Sequence, residues 1–148
     1  MRLLGVSLLL LLGGCIATDP SHDEVARSTS PDGTTDVIVI ESNGGATTSF
    51  WYDVCLAPRG GHCTVSDSLA QLYGATRSDQ AYGVNVRWAS DSLLRIEYLE
   101  AQQAKILHPS ATLGDRAVNV MLRPGVGDTS APPGGMLYNL QSRPQDAP

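Results

Sequence analysis

The chain has one lysine, Lys105, and one phenylalanine, Phe50, in 148 residues, and its basic residues never gather into a run. Ten basic residues stand against 15 acidic ones, a formal net charge of −5. A phosphate backbone needs a basic stripe, so nucleic acid is excluded as a partner. No polybasic stretch is written to meet a membrane surface either. Histidine is almost as scarce, with His22, His62 and His108 the full set of three. A serine nucleophile needs a histidine base oriented by a carboxylate. His22 falls in a segment that reads as a tether, His62 in a loop without a carboxylate, and His108 precedes Pro109, where it ends a strand. Gly-x-Ser-x-Gly, His-Glu-x-x-His and Gly-x-x-x-x-Gly-Lys elements are all missing. The expectation is a protein that is not an enzyme, with no catalytic residue, no cofactor and no bound metal. Asp53, on a predicted strand, is the one acid placed for part-burial and acid–base work. A structural role, facing water or pairing with Arg87 or Arg95, is the preferred reading.

Only one long apolar run occurs, and it opens the chain. Met1-Arg2 gives a positive start, Leu3 to Leu12 an apolar stretch, and Gly13-Gly14 small residues before Cys15. At about 1.5 Å per residue that stretch reaches roughly half of a 30 Å hydrocarbon core, so it reads as a removable leader rather than a membrane span. Leu12-Gly13-Gly14-Cys15 resembles the lipobox of bacterial lipoproteins. The resemblance covers residues 1–14 and the cysteine after them. It implies cleavage before Cys15, lipidation of the Cys15 sulfur, fatty acylation (palmitate and its like) of the new amino group, and a chain held on a membrane facing periplasm or exterior. Ile16, where inner-membrane lipoproteins carry Asp, resembles the outer-membrane class in a host with two membranes. Each buried methylene contributes about 0.8 kcal/mol, and two or three chains on one cysteine hold durably. The alternative is an ordinary secretory leader that ends near a cysteine.

Without residues 1–14, 9 basic residues face 15 acidic ones, a net charge of about −6 on a single domain. Assigning Cys15 to lipid leaves Cys55 and Cys63, in a compartment that favours oxidation. They are expected to pair, contributing roughly 2–3 kcal/mol on a chain-entropy estimate. The competing reading makes Cys55, His62 and Cys63 metal ligands, but a tetrahedral site wants a fourth. No Cys-x-x-Cys supports a redox role.

Residues 15–31 are rich in Ser, Thr, Asp and Pro and read as a flexible tether. A β domain is expected over 32–123. The β-branched run Val37-Ile38-Val39-Ile40 is a strand, and Asn43-Gly44 marks a hairpin. Phe50, Tyr52, Val54 and Leu56 alternate with Ser49, Trp51, Asp53 and Cys55. Pro58 to His62 then turns the chain and Cys63-Thr64-Val65 starts back, stapling a hairpin across its own loop. Residues 67–80 are ambiguous: Leu69, Leu72 and Tyr73 have helical spacing, ended by Gly74. Residues 83–88 and 94–98 make a second hairpin, Lys105-Ile106-Leu107 a short strand, and Ala117 to Leu122 the last. Residues 124–148 are Pro/Gly-rich and expected to be largely disordered, with Met136-Leu137-Tyr138 available as an edge strand. The fold class expected is all-β: a small antiparallel β-sandwich or open barrel with one short helical turn.

A second resemblance rests on Ser30-Pro31-Asp32-Gly33, on Asn43-Gly44-Gly45-Ala46-Thr47-Thr48-Ser49-Phe50, and on Trp88, Leu94-x-Ile96-x-Tyr98 and Ile106. Over roughly residues 30–107 the chain resembles a family of small bacterial envelope proteins of unknown function, which implies a fold and no activity. Cys55, Cys63 and the loop between them depart from that pattern. Three functional expectations follow. The first is a binding or structural module that holds an envelope protein partner through Trp51, Asn43 and Thr47, Trp51 lying either on an exposed face or, if a sandwich buries both faces of its strand, in the core. The second is an inhibitor that presents Arg59, in the Cys55/Cys63 loop, to an envelope hydrolase. The third is an enzyme using Asp53.

Overall fold

A computed structural model describes residues 19–78 and 80–128. The leader, Cys15 and the 136–138 edge strand lie outside the described residues.

Among the described residues nine strands form two packed sheets, an all-β sandwich rather than a barrel. The first sheet contains β1 (Ser21–Thr29), β2 (Thr35–Asn43), β3 (Trp51–Pro58), β4 (Ala70–Tyr73) and β7 (Gln103–Ile106), in the order β1-β2-β3-β4-β7. The second contains β5 (Asn85–Ser90), β6 (Leu93–Tyr98), β8 (Ser110–Leu113) and β9 (Arg116–Pro124), in the order β5-β6-β9-β8. Among the described residues no helix is long and apolar enough to cross a membrane.

Period-two alternation builds the core. Val37, Val39, Tyr52, Val54 and Leu72 of the first sheet meet Leu94, Ile96, Val118 and Val120 of the second. Fully burying each such side chain stabilises by about 1.5–3 kcal/mol. Ile38, Ile40, Cys55 and Ala57 point the other way, yet they are buried too, in a second cluster against which Cys63 packs. The segment after β3 folds back over that face instead of forming a returning strand at residues 63–65. Cys55 and Cys63 are paired at disulfide distance, with Cα atoms 6.4 Å apart. The bridge therefore pins a flap to a sheet rather than stapling a hairpin.

Other expectations are corrected. Residues 21–29 are not tether but β1, an edge strand antiparallel to β2. A bulge between Glu24 and Ala26 turns Val25 into the core. Polar ties do the rest: Arg27 donates to Glu24 and to Asp36, both at 2.7 Å, and Thr29 donates to Asp36 at 2.7 Å. The described residues of 67–80 form no α-helix; a 3₁₀ turn (Val65–Asp67) precedes β4, whose Ala70 and Leu72 are buried by alternation between β3 and β7. The sheets are not wholly antiparallel, because β6 and β9 run parallel. That parallel step requires a crossover, which β7 supplies by joining the first sheet before β8 returns the chain to the second.

Candidate functional site

The register of the first sheet lines up side chains from all five strands. One rung runs His22, Ser42, Trp51, Tyr73, Gln103, and the next runs Glu24, Ile40, Asp53, Gln71, Lys105. At about 4.8 Å between strands, each rung spans roughly 19 Å of the sheet's outer face.

Trp51 sits at the centre of the first rung, half-buried on the outer face and not between the sheets. Its ring lies 5.2 Å from that of Tyr73, tilted by 46°. Gly44 backs the indole closely: a Cβ there would come within 3.1 Å of Trp51 Cζ3 and 2.8 Å of Thr48 Oγ1. The loop is itself ordered, since Asn43 Oδ1 accepts from Gly45 N at 2.9 Å. The Ser49 amide donates to the Tyr73 hydroxyl at 3.1 Å. Trp51 and the 43–48 loop thus form one unit, with Asn43 and Thr47 exposed beside it.

Two shallow depressions flank Trp51. One, of about 250 Å³, is lined by Trp51, Gln71, Tyr73, Gln103 and Lys105. The other, of about 230 Å³, is lined by Pro20, His22, Ser42, Trp51, Asp53, Val65 and Gln71. An aromatic pair flanked by planar amides and hydroxyls offers stacking area and directional hydrogen bonds on one open face.

No family model, no curated protein and no solved structure matches the chain. Its chemistry is therefore read from these residues alone.

Asp53 is 3% exposed and accepts from Gln71 Nε2 at 3.1 Å. It does not pair with Arg87, whose partner is Glu97 at 3.0 Å, and Arg95 lies on the other sheet. Burial raises the Asp53 carboxyl above the ordinary aspartate value, against the opposing pull of Gln71, Ser68 and nearby His22. His22 is held in β1 with Nδ1 2.6 Å from Ser42 Oγ, so it is not the loosely tethered residue that the sequence suggests. Serine, histidine and aspartate share this face, but Asp53 accepts from Gln71 on β4, on the side of β3 opposite to β1 and His22.

Arg59 is exposed in the turn just past the far end of β3, eight residues after Trp51, with Nη1 3.5 Å from Gly33 O. Its neighbours tie the flap down: the Gly60 amide donates to Asp36 at 2.9 Å, and Gly61 O accepts from Arg27 at 3.0 Å. Arg59 and Trp51 are not brought together. His62 lies on the flap, and among the described residues no group of three His, Cys, Asp or Glu side chains is placed to hold a metal ion.

One cluster escaped the sequence reading altogether. Glu41 points inward from β2 and accepts from the Tyr52 hydroxyl at 2.7 Å. Arg77 lies 3.7 Å from the same carboxylate, over the Phe50 ring at 3.5 Å and the Tyr82 ring at 4.6 Å. Burial raises the Glu41 carboxyl, and burial together with Glu41 pushes the Tyr52 phenol far above its usual range. Gly83, with φ of +70°, lies against the Tyr52 ring. The one available signal was an acid at an inward position of the β-branched run. This cluster locks the end of the sandwich that lies behind Trp51.

Proposed function

We propose that the chain is a membrane-anchored bacterial lipoprotein that acts as a binding module in the cell envelope, with the outer face of the five-stranded sheet as its contact surface. Lipid on Cys15 supplies the anchor, the outer membrane being favoured where a host has two membranes, and Trp51 supplies the centre of the contact. What carries this reading is the Trp51–Tyr73 pair, half-buried on an open face, backed by Gly44 and flanked by hydrogen-bonding side chains. Aromatic anchors of this kind dominate binding energy, and truncating one typically costs about 2 kcal/mol or more.

Crosslinking in intact cells tests it through paired variants. Trp51→Ala is expected to lose the captured partner while Arg59→Ala keeps it. Loss on Arg59→Ala with Trp51→Ala silent rejects this reading in favour of an inhibitor of an envelope hydrolase acting through the Cys55/Cys63 loop. Intact mass adds a separate check, because the mature chain must carry acyl mass and lack two thiol protons.

A second reading, an enzyme, draws on the buried Asp53 at the floor of a depression that also holds His22 and Ser42. It demands turnover of an envelope substrate that Asp53→Asn abolishes. Equal partner capture by Asp53→Asn and the parent chain, with no substrate consumed by either, rejects it.

A further inference from the structure

The outer face of the second sheet collects cations that the sequence scatters. Arg87 on β5 stands opposite Arg95 on β6, and Arg95 stands opposite Met121 on β9. One rung further along, Asn85, Glu97 and Arg123 are aligned in the same way. Among the described residues Arg87 is paired with Glu97, while Arg95 and Arg123 have no carboxylate partner. Three arginines and one glutamate leave about two net positive charges on a face of a protein whose overall charge is −5. Of the neighbouring acids, Asp91 and Asp115 lie in turns at the opposite end of β6 and β9, and Glu100 lies past the Arg123 end of β6, where the chain leaves this sheet and the Glu100 carbonyl accepts from the Thr76 amide at 2.9 Å. Like charges directly opposite one another destabilise a sheet, and folding alone gives no reason to keep them there. Met121, 41% exposed beside Arg95, adds an unbranched apolar side chain to the middle of the patch.

We propose that this face is a membrane-docking surface, seating Arg87, Arg95 and Arg123 on anionic phospholipid headgroups with Met121 between them. The proposal rests on the anchored reading above, which places the domain beside a bilayer. Six residues, Cys15 to Pro20, reach at most about 20 Å, so the sandwich stays within touching distance of the lipid surface. Each net cationic charge near an anionic surface favours contact by about fivefold, and two give about 25-fold. That is too weak to recruit a free protein, but ample to orient one already tethered, for which contact is intramolecular. The two sheets present opposite outer faces, so docking the arginine face turns the Trp51 face away from the lipid.

Oxidation of Met121 reports the contact. The processed chain, carrying its acyl groups, is reconstituted in vesicles of phosphatidylcholine alone or mixed with phosphatidylglycerol, treated with dilute hydrogen peroxide, and followed by peptide mass. Met121 sulfoxide is expected to form at least about fivefold more slowly on the anionic vesicles, with the rate restored by molar salt and by the Arg95→Gln/Arg123→Gln double variant. Both substitutions are on exposed positions, and an unchanged urea midpoint confirms the fold. Equal oxidation on the two vesicle types, in a chain that floats with both, overturns the docking surface and leaves the anchor standing. Equal slowing on neutral vesicles also overturns it, since charge is then not what seats the face. A processed chain without acyl mass that floats with neither overturns the anchor and the docking surface together.

Discussion

Tyr52→Phe isolates a single bond in the buried end of the sandwich. The substitution keeps the ring that fills the core and removes the hydroxyl that donates to Glu41 at 2.7 Å. Tyr52 is fully buried, and the substitution leaves Glu41 with the more distant Arg77 at 3.7 Å. A hydrogen bond to a charged group is worth about 1.5–3 kcal/mol, so the loss at neutral pH is set at about 2 kcal/mol. Acid should shrink it. Burial already raises the Glu41 carboxyl, the tyrosine opposes that rise, and removing the tyrosine raises the carboxyl further. As pH falls, Glu41 in the variant protonates first and escapes the cost of an under-solvated charge. Once both chains are protonated only a neutral hydrogen bond separates them, worth about 1 kcal/mol. Urea unfolding of both chains at pH 7.5 and pH 4 gives the two differences, and other carboxylates cancel in the comparison. A neutral-pH difference below about 0.5 kcal/mol, or one that grows on acidification, refutes the argument that Tyr52 holds Glu41 in its ionised form.

Asp36 behaves in the opposite sense. Burial pushes its carboxyl up, but hydrogen bonds from the Gly60 amide, Thr29 and Arg27 together hold it below the ordinary value. Its stabilisation is therefore full above the unfolded aspartate range and lost as pH falls through the folded value, and Asp36→Asn should cost about 2–4 kcal/mol at neutral pH and little in strong acid, read by thermal unfolding. Gly83→Ala should destabilise by about 3 kcal/mol or prevent folding, because the new Cβ would lie 2.5 Å from Tyr52 Cζ at a backbone φ of +70°; soluble yield and near-ultraviolet circular dichroism follow it. Reducing the Cys55–Cys63 pair should cost roughly 2–3 kcal/mol and speed amide exchange in residues 59–67 before it affects β2.

Where apolar alternation was strong, the sequence spoke clearly. Val37 to Ile40, the series from Tyr52 to Leu56 and the hairpin of 85–90 with 93–98 fall on strands that pair as the pattern suggests, while Phe50 and Val84 lie just before their strands. β1 did not announce itself because its apolar content is Val25 and Ala26, and what secures it is an arginine whose contacts reach as far as Gly61. β4 was hidden for another reason: four residues are too few to distinguish period two from the helical spacing of Leu69, Leu72 and Tyr73. The closeness of Trp51 to the Asn43–Thr48 loop was legible because they are neighbours in sequence, whereas period two alone left open whether Trp51 faces the core or the outer side. Tyr73, Gln71 and Gln103 were not, since only the pairing of β3 with β4 and of β4 with β7 sets them beside Trp51.

The parallel union of β6 with β9 fixes the order in which the molecule can be completed. A ribosome delivers the chain amino end first, so the first three strands are available to one another early and β5 can close on β6 as soon as both have emerged. The second sheet then waits, with the flank of β6 open, until residues 116–124 arrive. A nascent chain cut short before that point carries Leu94 and Ile96 on a strand whose far edge has nothing to bond. Such fragments would seek other edges, and premature termination should yield aggregates rather than a smaller working protein.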